Sequence, residues 1–225
     1  MIFDPMYLLI VGPGLLLAIW ASIKVKITFG RYSRVAIASR KSGAEVAREL
    51  LRRAGIDDVR VERHEGWLSD HYHPAQRVVR LSPQVHDGRS AAAVGVAAHE
   101  VGHAIQHAEK YLPMTLRQSL VGPANLGSSL SYIMVIAGFF LHAAGLIWAG
   151  ILLFSAVVLF QLVTFPVEWN ASSRAKHRLV EYGIVSSGEA VHVGKVLNAA
   201  AMTYLAALVT SILQLVYFVS LANRR

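Results

Sequence analysis

Cysteine is absent from this 225-residue chain. Disulfides and thiolate metal ligands are therefore excluded, and any metal must be held by His, Asp or Glu. Charge is scarce too: Asp, Glu, Lys and Arg make up 16% of the residues. Four stretches, 7–23, 121–141, 146–167 and 199–222, carry no charged residue at all. A bilayer core needs about 20 consecutive apolar residues from a spanning helix, and these stretches approach or reach that length. Apolar residues form 54% of the chain and mean hydropathy is +0.44, too greasy for an ordinary soluble domain of this size. The lack of intramembrane charge also argues against a transporter, whose pathway needs such groups. The stretch 121–141 is the mildest, with Asn125, Ser128, Ser129 and Ser131 expected to form a helix-packing face and a buried core helix as the alternative.

Basic residues are missing from the first 23 positions, where Asp4 precedes the apolar run and Lys24 and Lys26 follow it. That order predicts an uncleaved anchor with its N-terminus outside. Residues 24–117 hold 16 of the 22 Lys and Arg, residues 142–145 hold none, and residues 168–198 hold four. The positive-inside rule then places both larger loops in the cytoplasm. Arg224 and Arg225 fall on the opposite side and are discordant. The expectation is a multi-pass protein of the cell (inner) membrane whose working part faces the cytoplasm. Net charge +8 and a pI near 10.0 read as membrane orientation and contact with anionic lipid. No basic stripe is interleaved with aromatics, so no nucleic-acid partner is expected.

The polar segments have their own pattern. Residues 42–55 read as an amphipathic helix capped by Ser42, with Glu45 three positions on and Gly55 ending it. Alternation at 59–62 and 77–81 predicts two strands, with 66–74 as the turn between them. Residues 89–110 form an Ala-rich, Pro-free expected helix after the Asp87-Gly88 turn, and Ser82-Pro83 closes the strand before it. The organisation is thus an anchor (1–23), a cytoplasmic region (24–117), a transmembrane hairpin (118–167), a second cytoplasmic segment (168–198) and a C-terminal span (199–225). Together these describe a mainly α membrane protein, with about four transmembrane helices and a small α+β region.

Within the Ala-rich helix stands His99-Glu100-Val101-Gly102-His103, an H-E-x-x-H pattern. On a helix, positions four apart share a face about 6 Å apart along the axis, so both rings can converge on one zinc ion. Glu100 stands to the side, placed to take a proton from a water that the metal activates. Small residues before the pair (Ala91, Ala92, Ala93, Gly95, Ala97, Ala98) predict tight helix packing, and Gly102 is expected to leave open space beside the metal. A catalytic zinc of this kind takes a third protein ligand. His107 lies about 12 Å along an unbroken helix from His99, too far to share a tetrahedral ion, and reads as exposed or as an outer contact. His71 and His73 in the 70–74 turn are a second option. Glu168 is the best candidate, because two spans return the chain to the face that holds His99. Ser172, one turn beyond Glu168, is placed to orient a ligand, whereas Asn170 points away from the metal.

These residues carry a resemblance. Arg89-Ser90, the run from Ala97 to Glu109, Pro166-Val167-Glu168 and Ala171-Ser172 are similar to the YugP-type neutral zinc metallopeptidases of bacterial membranes. So are Asp70-His71-Tyr72 and the run from Leu197 to Tyr204, and the likeness spans 42–204. It implies a gluzincin-like peptidase with one Zn2+ per chain, His99, His103 and Glu168 as ligands, and Glu100 as general base. The family pattern has Asp where this chain has His73 and Asn170, which bears on substrate contacts or outer shells rather than on zinc. Expected partners are a protein or peptide substrate, including membrane-associated ones, and the lipid bilayer, with room for an oligomer or a regulatory membrane partner. An oxyanion donor is expected from His71, Tyr72, His192 or Arg178, with the His71-Tyr72 turn preferred, and an extended substrate is expected to pair with the open edge of the small sheet. Two alternatives compete. An intramembrane protease of the site-2 type would bury its metal helix in the bilayer and take an Asp from a later span, and no such Asp exists here. A non-catalytic membrane scaffold with a structural metal would have no use for Glu100.

Overall fold

Four long helices carry the uncharged stretches in the computed structural model, which describes residues 4–224; Arg225, half of the discordant basic pair, lies outside them. They are α1 (Pro5–Tyr32), α5 (Leu112–Phe140), α6 (Ala144–Glu181) and α7 (Ser187–Ala222), all long and apolar enough to cross a membrane. Most residues in their apolar windows are not buried inside the chain, as lipid-facing helices require and a buried core helix does not. Between α1 and α5 lie α2 (Gly43–Arg53), β1 (Arg60–Arg63), β2 (His71–His73), β3 (Val78–Leu81), α3 (Pro83–His86) and α4 (Ala91–Ala108). The chain is a mainly α membrane protein with one small sheet.

Two compact units emerge. One comprises the residues up to Ser22, Leu112–Pro166 and those from Thr203 onward. Its core joins Val11, Val135, Ile147, Ile151, Phe154, Tyr217, Phe218 and Leu221. The Tyr217 hydroxyl donates to Asp4 at 3.0 Å. The expected polar packing face of α5 is mostly exposed. Only Ser131 of that set is buried, and the Ser128 and Ser129 hydroxyls bond back to the Asn125 carbonyl. Small residues do the packing instead: a Cβ on Gly127 would stand 2.6 Å from the Leu153 carbonyl oxygen, so α6 lies directly against it.

The other unit comprises Ile23–Tyr111 and Val167–Met202. Here α2 forms as expected. The Ser42 hydroxyl accepts from the Glu45 N–H at 3.2 Å, and the Glu45 carboxylate accepts from the Ser42 N–H at 2.6 Å, a complete capping box. Its buried face (Val46, Ala47, Leu50, Leu51) packs on α4. Gly43 permits close packing on both α3 and α4, since a Cβ there would run into the Val85 carbonyl oxygen and stand 3.2 Å from that of Ala93. Gly43→Ala should therefore lower stability by about 1–3 kcal/mol, read as a lower thermal midpoint of the detergent-solubilised protein.

The sheet has the order β1-β3-β2, with β1 parallel and β2 antiparallel to β3. The stretch expected to be only a turn thus contains a third strand. Three residues are too short to show an alternation. The strand is pinned from outside, because the Asp70 carboxylate accepts from the Ser82 N–H at 2.7 Å and from its hydroxyl at 3.1 Å. Burial, with the Glu100 carboxylate adding to it, pushes the Asp70 carboxyl up despite those bonds. The short helix α3 also intervenes before the metal-motif helix, with Pro83 at its start where no N–H is needed. Ser90 then caps α4 by accepting from the Ala93 N–H at 3.2 Å, so the helix is shorter at each end than 89–110.

Candidate metal centre

Helix α4 presents His99 and His103 on one face, ring centroids 4.7 Å apart. Helix α6 delivers Glu168 to them. Its Oε2 lies 3.1 Å from His99 Nε2 and 3.4 Å from His103 Nε2. The three donor atoms form a cluster able to hold a metal ion. A tetrahedral ion with bonds of about 2.0–2.1 Å separates its donors by about 3.3 Å, the scale found here. Glu168 is 2% exposed and His103 7%, so water screens neither.

The close approach of the two helices depends on Gly102. A Cβ at that position would sit 2.7 Å from the Ala171 carbonyl oxygen. The open space expected beside Gly102 is thus filled by α6 backbone, which is how Glu168 comes within reach. Earlier on α4, Ala91, Ala92, Ala93, Ala97 and Ala98 are buried, and Gly95 lies against Val193.

Outer contacts set the ring tautomers. His99 Nδ1 lies 3.1 Å from the Ser172 hydroxyl, and His103 Nδ1 lies 3.0 Å from Gln106 Oε1. The amide of Gln106 donates through Nε2 to the Val167 carbonyl at 2.8 Å and to Asn170 Oδ1 at 2.9 Å. Both of those oxygens only accept, so Oε1 must face His103 and Nδ1 must carry the proton. In a neutral ring His103 Nε2 is then a lone pair aimed at a carboxylate oxygen 3.4 Å away. Two acceptors in that position need a cation or a proton between them. Burial works against charge on His103, but the Glu168 carboxylate outweighs it, with Glu100 adding, and holds the imidazole above its usual value. Gln106 is fully buried, and in the sequence it is one polar residue among many. Its signal was position, three residues past His103 on the same helix face.

Glu100 is 8% exposed, and its Oε2 accepts from the Tyr72 N–H at 2.9 Å. Strand β2 therefore lies beside the motif, and the sheet edge expected to be open is occupied by Glu100 at Tyr72. The Tyr72 hydroxyl is 2.8 Å from His107 Nδ1, which keeps His107 outside the metal cluster, and burial raises the Tyr72 hydroxyl. His71 Nδ1 bonds the Ser69 carbonyl and His73 Nδ1 the Gln76 N–H, and neither ring is among the three donors of the cluster. Arg178 is paired with Glu181 and Tyr182, and His192 stacks on Tyr32. Asn170 is one bond removed from His103, accepting from Gln106 and from Arg174; Arg174 in turn reaches Glu109 at 2.6 Å.

Known proteins resemble this chain. The profile of the family described as "Putative neutral zinc metallopeptidase" matches residues 7–223. "Putative membrane protease YugP" of Bacillus subtilis (strain 168) is 48% identical over 203 residues, covering 90% of this chain and 90% of that protein. No solved structure matches. Because the match runs through the helices that supply His99, His103 and Glu168, the chain belongs to the neutral zinc metallopeptidase family.

Proposed function

We propose that the chain is a membrane-embedded endopeptidase of gluzincin type, with one Zn2+ held by His99, His103 and Glu168. The observation that carries this is the convergence of His99 Nε2 and His103 Nε2 on one Glu168 oxygen at 3.1 and 3.4 Å, a buried donor set whose spacing fits a tetrahedral dication. When bound there, zinc supplies a Lewis acid that polarises the scissile carbonyl and lowers the pKa of water. Glu100, held by the Tyr72 N–H, takes the proton of the attacking water and delivers it to the departing amine. The oxyanion is assigned to His71 or Tyr72 on β2, the strand whose backbone N–H at Tyr72 bonds Glu100. Ser172 and Gln106 hold the two imidazoles with Nε2 toward the metal.

The catalytic part comprises segments 24–117 and 168–198, facing the cytoplasm of the cell membrane. The concentration of Lys and Arg in those segments supports that orientation. Substrates are proteins or peptides reached at the membrane surface, juxtamembrane segments included. Peptide cleavage by the purified full chain should stop on treatment with a zinc chelator and return on adding zinc to about one equivalent per chain. Zinc bound at one equivalent with no cleavage of any peptide would leave the scaffold reading in place, and cleavage that survives complete zinc removal would take zinc out of the mechanism. Gln106→Leu should weaken zinc binding by about 10–100-fold, measured by competition with a chromophoric chelator, because His103 Nδ1 loses its acceptor.

A further inference from the structure

A second cavity, separate from the metal cluster, has a chemistry of its own. It measures about 520 Å3, within the range of small-molecule sites, and belongs to the same compact unit. Lys24 and Arg31 enter it from α1 and Lys195 from α7, and no carboxylate is among its lining residues. The rest of the wall is largely apolar, with Ile27, Met202 and the half-exposed indole of Trp169. Lys24, Ile27 and Arg31 stand at i, i+3 and i+7, so one helix face contributes all three.

Depth follows from the helices themselves. Lys24 is the first charge after the uncharged run of α1. On α7 the lining passes from Lys195 to Met202 as that helix enters its own uncharged run. The cavity therefore sits where span meets polar headgroup, the level at which Trp is favoured. Three cations at that level, beside an apolar wall, complement a phosphodiester bearing acyl chains. A soluble anion would have no use for the apolar side, and an extended peptide would find helix faces with no strand edge to pair with.

We infer that this cavity is a binding site for the headgroup of an anionic membrane phospholipid, with the phosphate held among Lys24, Arg31 and Lys195 and the first acyl carbons against Trp169 and Met202. Basic pockets between helices at the membrane boundary recognise lipid headgroups in this way. The site is independent of peptidase chemistry, and its test needs no activity.

The full-length protein in detergent, titrated with phosphatidylglycerol and followed by native mass spectrometry, reads the binding directly. The triple variant K24Q/R31Q/K195Q should lose about 100-fold in affinity for phosphatidylglycerol. A charge-matched variant at exposed positions outside the cavity, R34Q/R48Q/R52Q, should lose about twofold or less. Equal losses in the two variants would overturn the site. Full displacement of phosphatidylglycerol by millimolar inorganic phosphate would overturn the lipid in favour of a free anion. Should the triple variant fail to fold, fluorescence of the natural chain decides. Brominated phosphatidylglycerol should quench it more than brominated phosphatidylcholine, and the difference should vanish in Trp169→Phe. Equal quenching by the two lipids would also overturn the proposal.

Discussion

Glu100→Gln should retain one zinc per chain and lower the turnover of peptide cleavage by at least about 100-fold, the smaller end of what a general base contributes. The substitution is close to isosteric. Its amide oxygen can still accept from the Tyr72 N–H, 2.9 Å from the native carboxylate, so β2 keeps its anchor. The cluster of His99, His103 and Glu168 does not include the substituted side chain. What disappears is the ability to take a proton. Zinc content by elemental analysis and cleavage of a protein substrate, measured on the same preparation, separate the two effects. Wild-type turnover with zinc bound would remove Glu100 from the mechanism; loss of zinc would mean that it serves the metal directly.

Glu168→Ala should empty the site. Two imidazoles on one helix would remain, and a tetrahedral zinc held by two protein ligands is far weaker than one held by three. The expected loss in zinc affinity exceeds the about 10–100-fold that removal of an outer contact produces. Cleavage should fall with it and not recover at micromolar zinc. The fold has reason to survive, because α6 docks on α4 through the backbone contact at Gly102 and through the Gln106 bond to the Val167 carbonyl. Stoichiometric zinc in this variant would place the third ligand elsewhere and would sink the His2Glu assignment.

Legibility in the sequence followed the range of the interaction. The His99 and His103 pair and the Ser42 capping box depend on residues within one or two helical turns and the uncharged spans on one continuous run each, and the structure has the paired rings, the cap and the long apolar helices. Strand β2 is silent in the sequence because three residues carry no periodicity, and what holds it is Asp70 reaching Ser82 across the sheet. Gly102 is ambiguous in the sequence for a related reason. A missing side chain can mean either empty space or another backbone, and here Ala171 stands opposite. Gln106 looked like one polar residue on an apolar helix. Its importance lies in three partners, two of them more than 60 positions away.

By itself, then, the sequence determined that this chain is a membrane protein with a paired-imidazole helix, because hydropathy runs and helical spacing are local properties that survive any arrangement of the rest. Only the tertiary structure decided which acid closes on those imidazoles, which nitrogen of each ring faces it, and what stands at the sheet edge. Those outcomes depend on the contact of α4 with α6, where a glycine lets two backbones meet and brings residues 69 positions apart to 3.1 Å.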